Sequence, residues 1–141
     1  MGLIDYAVEP NLSSEEFVDV LAHSTLAERR PVDDPVRIHA MLRHANLIVT
    51  ARHEGRLVGV ARSLTDFSFC CYCSDLAVDE AWQGRGIGRA LMVRTRDEAI
   101  GRVPRDGRPV RCLLLSAPKA MGYYPKVGLK SLDNAFDFTD L

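Results

Sequence analysis

Ser74-Asp75-Leu76-Ala77-Val78-Asp79-Glu80-Ala81-Trp82-Gln83-Gly84-Arg85-Gly86-Ile87-Gly88-Arg89-Ala90-Leu91 opens a run that continues to Ala99, and its reading decides the fold. An apolar strand ends at Val78. A short acidic turn follows, and Gly84, Gly86 and Gly88 then lead into a long amphipathic helix. Glycines at alternate positions bring backbone N–H groups close to a bulky ligand with no Cβ in the way. A helix N-terminus adds unpaired N–H groups and the positive end of the helix dipole. Together these make a cradle for a pyrophosphate. A glycine cluster also occurs where a turn simply needs positive φ, and the stretch taken alone leaves both readings open. Two phosphate motifs are excluded. A Walker loop needs Gly-Lys-Ser/Thr, whereas Arg89-Ala90 follows Gly88. A dinucleotide fingerprint needs glycines directly after a strand and an acid about 20 positions on. Here Asp79–Gln83 intervene, and Asp106 falls in the turn signal Asp106-Gly107.

Upstream, Leu3–Glu9 alternates as a first strand that Pro10 stops. Ser13-Ser14-Glu15-Glu16 is a capping box. Phe17, Val20 and Leu21 behind it share one face of a helix that ends near His23–Leu26. Glu28–Asp34 is polar and broken by proline, hence a loop. Asp34-Pro35 starts a second helix, cap then first-turn proline, running to about His44 with Val36, Ala40 and Leu42 or Met41 partly inward. Leu47–His53 and Leu57–Ser63 form a hairpin about Glu54-Gly55. Asp66-Phe67-Ser68 turns the chain into a central strand, Phe69–Val78, which feeds the glycine loop.

Downstream, Ile87–Ile100 is the long helix, closed by Gly101. Arg102–Pro109 is a basic loop. Val110–Ser116 is apolar on both faces and reads as a central fifth strand. Ala117–Val127 forms a short helix, and Leu132–Phe138 returns as a final strand or irregular edge. An antiparallel meander followed by a crossover helix gives an α/β (α+β) fold: a mixed, mostly antiparallel central sheet with helices on both faces.

The 141 residues carry a formal net charge of −1 and a pI of about 6.4. That length fits one domain, 1–141, able to bury enough surface to need no metal or disulfide. No strongly basic face is implied, which disfavours nucleic acid as a partner. Met1-Gly2-Leu3-Ile4-Asp5 lacks the regions of a signal peptide, and no apolar run reaches the roughly 20 residues of a membrane span. The expectation is a cytoplasmic protein with no membrane partner. Cys70, Cys71, Cys73 and Cys112 read as reduced, buried thiols. Cys70-Cys71-x-Cys73 has no second cluster at zinc spacing, so no metal is expected. Of the arginines crowding the glycine loop and its helix, Arg85 and Arg89 read as phosphate-attracting, Arg94 and Arg96 as a solvated face.

Gln83-Gly84-Arg85-Gly86-Ile87-Gly88 resembles the acyl-CoA loop of the GNAT superfamily of N-acetyltransferases, whose pattern is Gln/Arg-x-x-Gly-x-Gly/Ala. Leu76-Ala77-Val78 is similar to that family's fourth strand. Ala120-Met121-Gly122-Tyr123-Tyr124-Pro125-Lys126-Val127-Gly128-Leu129 is similar to its Ala-x-x-x-Tyr-x-x-x-Gly-Phe segment, with Leu129 where Phe is usual. The resemblance covers Leu47–Leu132 well and the N-terminal third by architecture only. It implies a fourth strand that carries a bulge and splays from the fifth, leaving an acyl-CoA cleft between them. It implies acetyl-CoA as co-substrate, with its pyrophosphate on Gln83, Gly84, Arg85, Gly86, Ile87, Gly88 and Arg89. Pantetheine would lie in the gap like an added strand, paired with the backbone of Leu76, Ala77 and Val78. Tyr124 would be the general acid for the leaving thiolate. One departure concerns an Asn that many members carry seven residues before the tyrosine. Ala117 stands there, followed by Pro118, and backbone from Ser116 would replace its contact.

Acyl transfer to an amine needs the donor held, the amine neutral and the thiolate protonated. A phenol, protonated at neutral pH, suits the last task. Packing at the end of its helix is the competing reading of Tyr124. Asp75, beside the expected acetyl site, is the best carboxylate for the base; Asp66 and Asp79 are less well placed. A hydrogen-bonded strand-end carboxylate is the competing reading of Asp75. His23, His39, His44 and His53 fall away from both motifs. The acceptor would be a small-molecule or peptide amine, chosen by the loops Thr25–Asp34 and Asp66–Phe69, which carry no decodable motif. The alternative is a non-catalytic acyl-CoA-binding or regulatory module, against which Tyr124 counts. A homodimer through the edge of the C-terminal sheet is compatible with so small a domain.

Overall fold

The computed structural model describes residues 2–101 and 108–141. Its regular elements are β1 (Asp5–Val8), α1 (Ser14–Ala22), α2 (Pro35–His44), β2 (Leu47–His53), β3 (Arg56–Thr65), β4 (Cys70–Val78), α3 (Ile87–Ile100), β5 (Arg111–Leu114) and α4 (Tyr123–Lys126). Three 3₁₀ turns, Leu26–Arg29, Glu80–Trp82 and Pro118–Ala120, join them. The five strands make one sheet in the order β1-β2-β3-β4-β5. The first three pairings are antiparallel and β4–β5 is parallel, as a crossover through α3 requires.

Local chemistry sets the helix starts. Ser13 accepts the Glu16 N–H at 3.2 Å, and Asp34 accepts the Arg37 N–H at 3.0 Å with Pro35 in the first turn. Helices cover both sheet faces. Phe17, Val20 and Leu21 of α1 and Ile38 and Leu42 of α2 pack on Ile48, Val60 and Ala77. Ile87, Leu91 and Ala99 of α3 pack on Leu47, Val49, Ala51, Val58 and Ala61. Residues 47–51 alternate between the two cores, as a strand's period of two dictates. Fully burying a Phe or Leu side chain contributes about 1.5–3 kcal/mol, so these two layers hold the sheet.

Ser74 is the feature that shapes the site. Arg62 pairs with Asp75 but Ser63 pairs with Cys73, so Ser74 is an extra residue, a β-bulge. The insertion swaps the faces. Before it Cys71 and Cys73 point to the α3 core; after it Leu76 and Val78 do, while Ala77 turns to the α1 core. Pairing with β5 stops at Cys73↔Leu114, and β4 continues alone to Val78. The sheet therefore splays open between β4 and β5.

Four expectations need correction. The segment 110–116 is the sheet's edge and not its centre, with Leu113 and Leu115 exposed. Leu132–Phe138 forms no strand, and Leu132, Phe136 and Phe138 face solvent. The two facts share a cause: among the described residues β5 has no strand on its outer side, so its apolar residues stay uncovered. Val36 is exposed, because the inward stripe of α2 runs through Ile38 and Leu42 instead. Among the cysteines, Cys71 and Cys73 are buried thiols, whereas Cys70 and Cys112 are exposed. The expected basic loop over 102–107 lies outside the described residues.

Candidate active site

The ladder between β3 and β4 decides which backbone groups face the gap. Asp79 N–H donates to Val58 C=O at 2.9 Å, which makes Val58–Asp79 a hydrogen-bonded pair. In an antiparallel ladder such pairs alternate, so Val60–Ala77 is bonded as well, while Gly59–Val78 and Ala61–Leu76 turn their polar groups away. The N–H and C=O groups of Leu76 and Val78 thus face the space that β5 has left. Those of Ala77 are directed to β3, which removes Ala77 from the expected pantetheine partners, although it lines the cavity.

That cavity measures about 690 Å³. One wall is Leu76–Val78 and the glycine loop; the facing wall is Ala117, Ala120, Tyr123, Tyr124 and Val127, with Ser24–Leu26 along the rim. Gly84 and Gly86 adopt φ of +76° and +80°, and Gly86 caps α3. Gly88 has a different reason. A Cβ there would stand 2.7 Å from the Tyr123 hydroxyl, so glycine lets that tyrosine rest on the first turn of α3. The Gln83 side-chain amide donates to Val78 C=O at 2.9 Å and ties the loop to the end of β4.

The expected phosphate-binding set divides. Gln83, Gly84, Gly86, Ile87 and Gly88 line the cavity. The Arg85 guanidinium lies over the Trp82 ring, 4.7 Å from its centroid. Arg89 lines a second cavity of about 310 Å³ between α3 and β5. Arg94 pairs with Glu98 and also donates to Tyr6 C=O of β1 at 3.3 Å, while Arg96 pairs with Asp97 beside the second cavity, so neither is a purely solvated side chain.

Tyr123 and Tyr124 meet edge to face, centroids 5.2 Å apart, on the cavity wall. Burial holds both phenols above their ordinary value; nearby Cys73 adds to the rise at Tyr124, and Arg89 opposes it at Tyr123. Both are therefore protonated at neutral pH and able to donate. Cys73 is pushed up to about 12, chiefly by burial, and stays a thiol.

Asp75 is fully buried and does not line the cavity. Arg30 engages one of its oxygens and Arg62 the other. Of the two readings of Asp75, this geometry fits the hydrogen-bonded strand carboxylate, and it sets the side chain apart from the cavity. Asp66 accepts the N–H groups of Ser68, Phe69 and Cys70 and sits at about 2 for that reason. Asp79 caps the turn Glu80–Trp82 and meets Arg56. Of the histidines, His53 packs its ring against Trp82, centroids 4.6 Å apart and tilted by 41°, and His23 C=O accepts the Glu80 N–H at 2.8 Å.

Further residues surround the cavity. Thr25, at φ +68°, lies on the rim, and a non-glycine residue in that region carries local strain. Lys119 lines the cavity and lies 3.9 Å from the Glu28 carboxylate. Ser24, Leu26, Glu80, Trp82 and Tyr123 complete the lining. Thr25, Leu26 and Glu28 fall in the loop expected to choose the acceptor, and Tyr123 lies beside the motif tyrosine; Ser24, Trp82 and Lys119 left no readable signal. Among the described residues no group of three His, Cys, Asp or Glu side chains gathers for a metal, and no helix is long and apolar enough to cross a membrane.

Solved structures share this architecture. A probable acetyltransferase from Staphylococcus aureus superposes with a TM-score of 0.72 at 19% identity, covering 94% of this chain and 93% of that one. A ribosomal-protein-alanine N-acetyltransferase from Brucella melitensis gives 0.70 at 20% identity, covering 96% and 98%. An aminoglycoside N-acetyltransferase in complex with CoA gives 0.74 at 11% identity, covering 98% and 95%. At such identities the likeness is one of fold. The sequence profile of the acetyltransferase (GNAT) family, however, matches residues 11–128, most of the chain. On that match, and on the splayed β4 that the fold supplies, the chain belongs to the GNAT acetyltransferase family.

Proposed function

We propose that this chain is an N-acetyltransferase that moves an acetyl group from acetyl-CoA to a primary amine within a ternary complex, carried by one domain over 1–141. The observation that supports it most is the run of Leu76 and Val78 backbone groups facing an open cleft, with the glycine loop at one end and Tyr124 on the opposite wall. Pantetheine would pair as an added strand with the Leu76 groups and the Val78 N–H, Val78 C=O being held by Gln83. The pyrophosphate would meet the loop N–H groups and the α3 dipole. When bound, acetyl-CoA supplies the activated acyl carbon.

The neutral amine nitrogen attacks that carbon, the C–S bond breaks, and the Tyr124 phenol gives its proton to sulfur and regains one from the nitrogen as the amide forms. At ordinary values a phenol is a weaker acid than a thiol, so the transfer alone is uphill by roughly 2 kcal/mol. Burial of Tyr124 adds to this. The proton must therefore move as the C–S bond breaks, with amide formation driving both. With Asp75 and Asp66 engaged, the ammonium proton leaves through water in the open cleft. The acceptor, a small-molecule or peptide amine, would enter over Ser24–Leu26. The exposed edge of β5 supports a homodimer.

Thiol release from acetyl-CoA, followed over a panel of polyamines, amino sugars and peptide amines, tests this. Release that requires an amine is expected. Acetyl-CoA binding with no release for any amine would favour the non-catalytic module.

A further inference from the structure

Arg30, just past the turn Leu26–Arg29, belongs to neither the glycine loop nor the tyrosine motif. Its guanidinium holds three acceptors at once. Nε meets the Asp75 carboxylate, Nη2 donates to Ser74 C=O at 2.8 Å, and Nη1 donates to Arg29 C=O at 2.7 Å. Ser74 is the bulge residue of β4, and Asp75 is the first residue beyond it. The other Asp75 oxygen is engaged by Arg62 of β3, whose Nη1 donates to Met41 C=O of α2 at 3.2 Å. Asp75 is 0% and Arg62 7% exposed. Charges so deeply buried carry a desolvation cost that apolar side chains of similar size would avoid. What they supply in return is geometry, and all of it converges on the one kink in β4.

We propose that Arg30 is a positioning residue. Through Asp75 and Ser74 C=O it locks the β4 bulge to the turn Leu26–Arg29. The rim Ser24–Leu26 and the cleft-facing edge at Leu76 and Val78 then keep a fixed separation. The idea rests on the acyl-CoA reading of the cavity. An arginine fits because its planar fork reaches a carboxylate and a carbonyl together, which a lysine ammonium does not.

Arg30→Gln leaves Asp75 paired with Arg62, so the fold survives, while the bulge loses its tie to the turn. Titration with acetyl-CoA and with ADP, which carries a pyrophosphate but no pantetheine, separates the two ends of the cleft. The variant is expected to bind acetyl-CoA about tenfold more weakly, the loss of roughly one charge-assisted hydrogen bond. ADP affinity should stay within about twofold, since the glycine loop is remote from the lock. Arg30→Lys should fall between wild type and Arg30→Gln. Hydrogen exchange supplies a readout independent of ligand: the Asp75 and Ala77 amides, bonded to β3 within 74–78, should exchange about tenfold faster in Arg30→Gln, with residues 47–53 unchanged. Equal loss of both ligands, or no loss of either, overturns the proposal, as does unchanged exchange over 74–78. If wild type itself binds no acetyl-CoA, the acyl-CoA reading fails, and the exchange rates alone decide whether Arg30 locks the bulge.

Discussion

Gly88 and Tyr123 are joined by one missing atom. Gly88→Ala places a Cβ 2.7 Å from the Tyr123 hydroxyl, the far end of a side chain that can swing aside. Stability should change by less than about 1 kcal/mol, because alanine favours the helix that it enters. Acetyl-CoA affinity should fall, and Gly88→Ala/Tyr123→Phe should regain part of it, measured by titration of both variants. Tyr124→Phe should leave acetyl-CoA affinity within about twofold while kcat drops about a hundredfold, the usual effect of removing a general acid. Because its phenol is held above the ordinary value of 10.0, the acid stays loaded through neutral and mildly alkaline pH. Any alkaline fall in wild-type kcat set by this group lies above pH 10.0 and is absent in Tyr124→Phe. Unchanged kcat in the variant would remove the acid role. At this scale the glycine loop and Tyr124 were legible, since their meaning is carried by neighbours a few positions away. Asp75 was legible as a hydrogen-bonded strand carboxylate, but its partners were not: Arg30 and Arg62 lie 45 and 13 residues away in the chain, and nothing local signals a buried ion pair.

Elements differ in how much of their fate is local. The helix α3 was readable to the residue, because a glycine start, a Gly101 stop and the spacing Ile87, Leu91, Thr95, Ala99 all agree. The capped start of α2 was equally plain, and Asp34→Ala should cost about 1 kcal/mol, seen as a lower Tm. Strands depend on partners. The apolar run 110–116 looked central because both faces are apolar, yet it pairs on one side only. Ala135-Phe136-Asp137-Phe138 alternates as a strand should, but has no neighbour to bond. The splay of β4 from β5 was an expectation from family resemblance; the bulge at Ser74 is its physical origin, and no propensity marks that serine.

Over the whole molecule, Arg52 ties β1, α1 and β2 together. It meets Glu9 at 2.9 Å and Glu16 at 2.5 Å. Hydrogen bonds from Arg52 are the main reason both carboxyls sit below their ordinary value of 4.5. A depressed folded pKa gives stability that is complete above the unfolded value and is lost as pH falls through the folded one. Thermal melts should therefore weaken more steeply below pH 4.5 in wild type than in Arg52→Leu. At neutral pH that variant should lose about 1 kcal/mol, a modest figure because Glu16 is exposed enough to be screened. The edge of β5 and the uncovered Phe136 and Phe138 bear on assembly. Light scattering should show a dimer that Leu115→Lys, on the exposed side of that edge, converts to monomer. A wild-type monomer at high concentration would contradict it.

Calorimetric titration of acetyl-CoA into wild type and Gly86→Leu bears most directly on the cleft. Gly86 holds φ +80° at the start of α3, where a leucine is strained and would crowd the cradle. Micromolar binding by wild type, weakened about tenfold or more in the variant, is expected. No heat up to millimolar acetyl-CoA, or equal binding by both proteins, would mean that the glycine loop is a turn and not a pyrophosphate cradle.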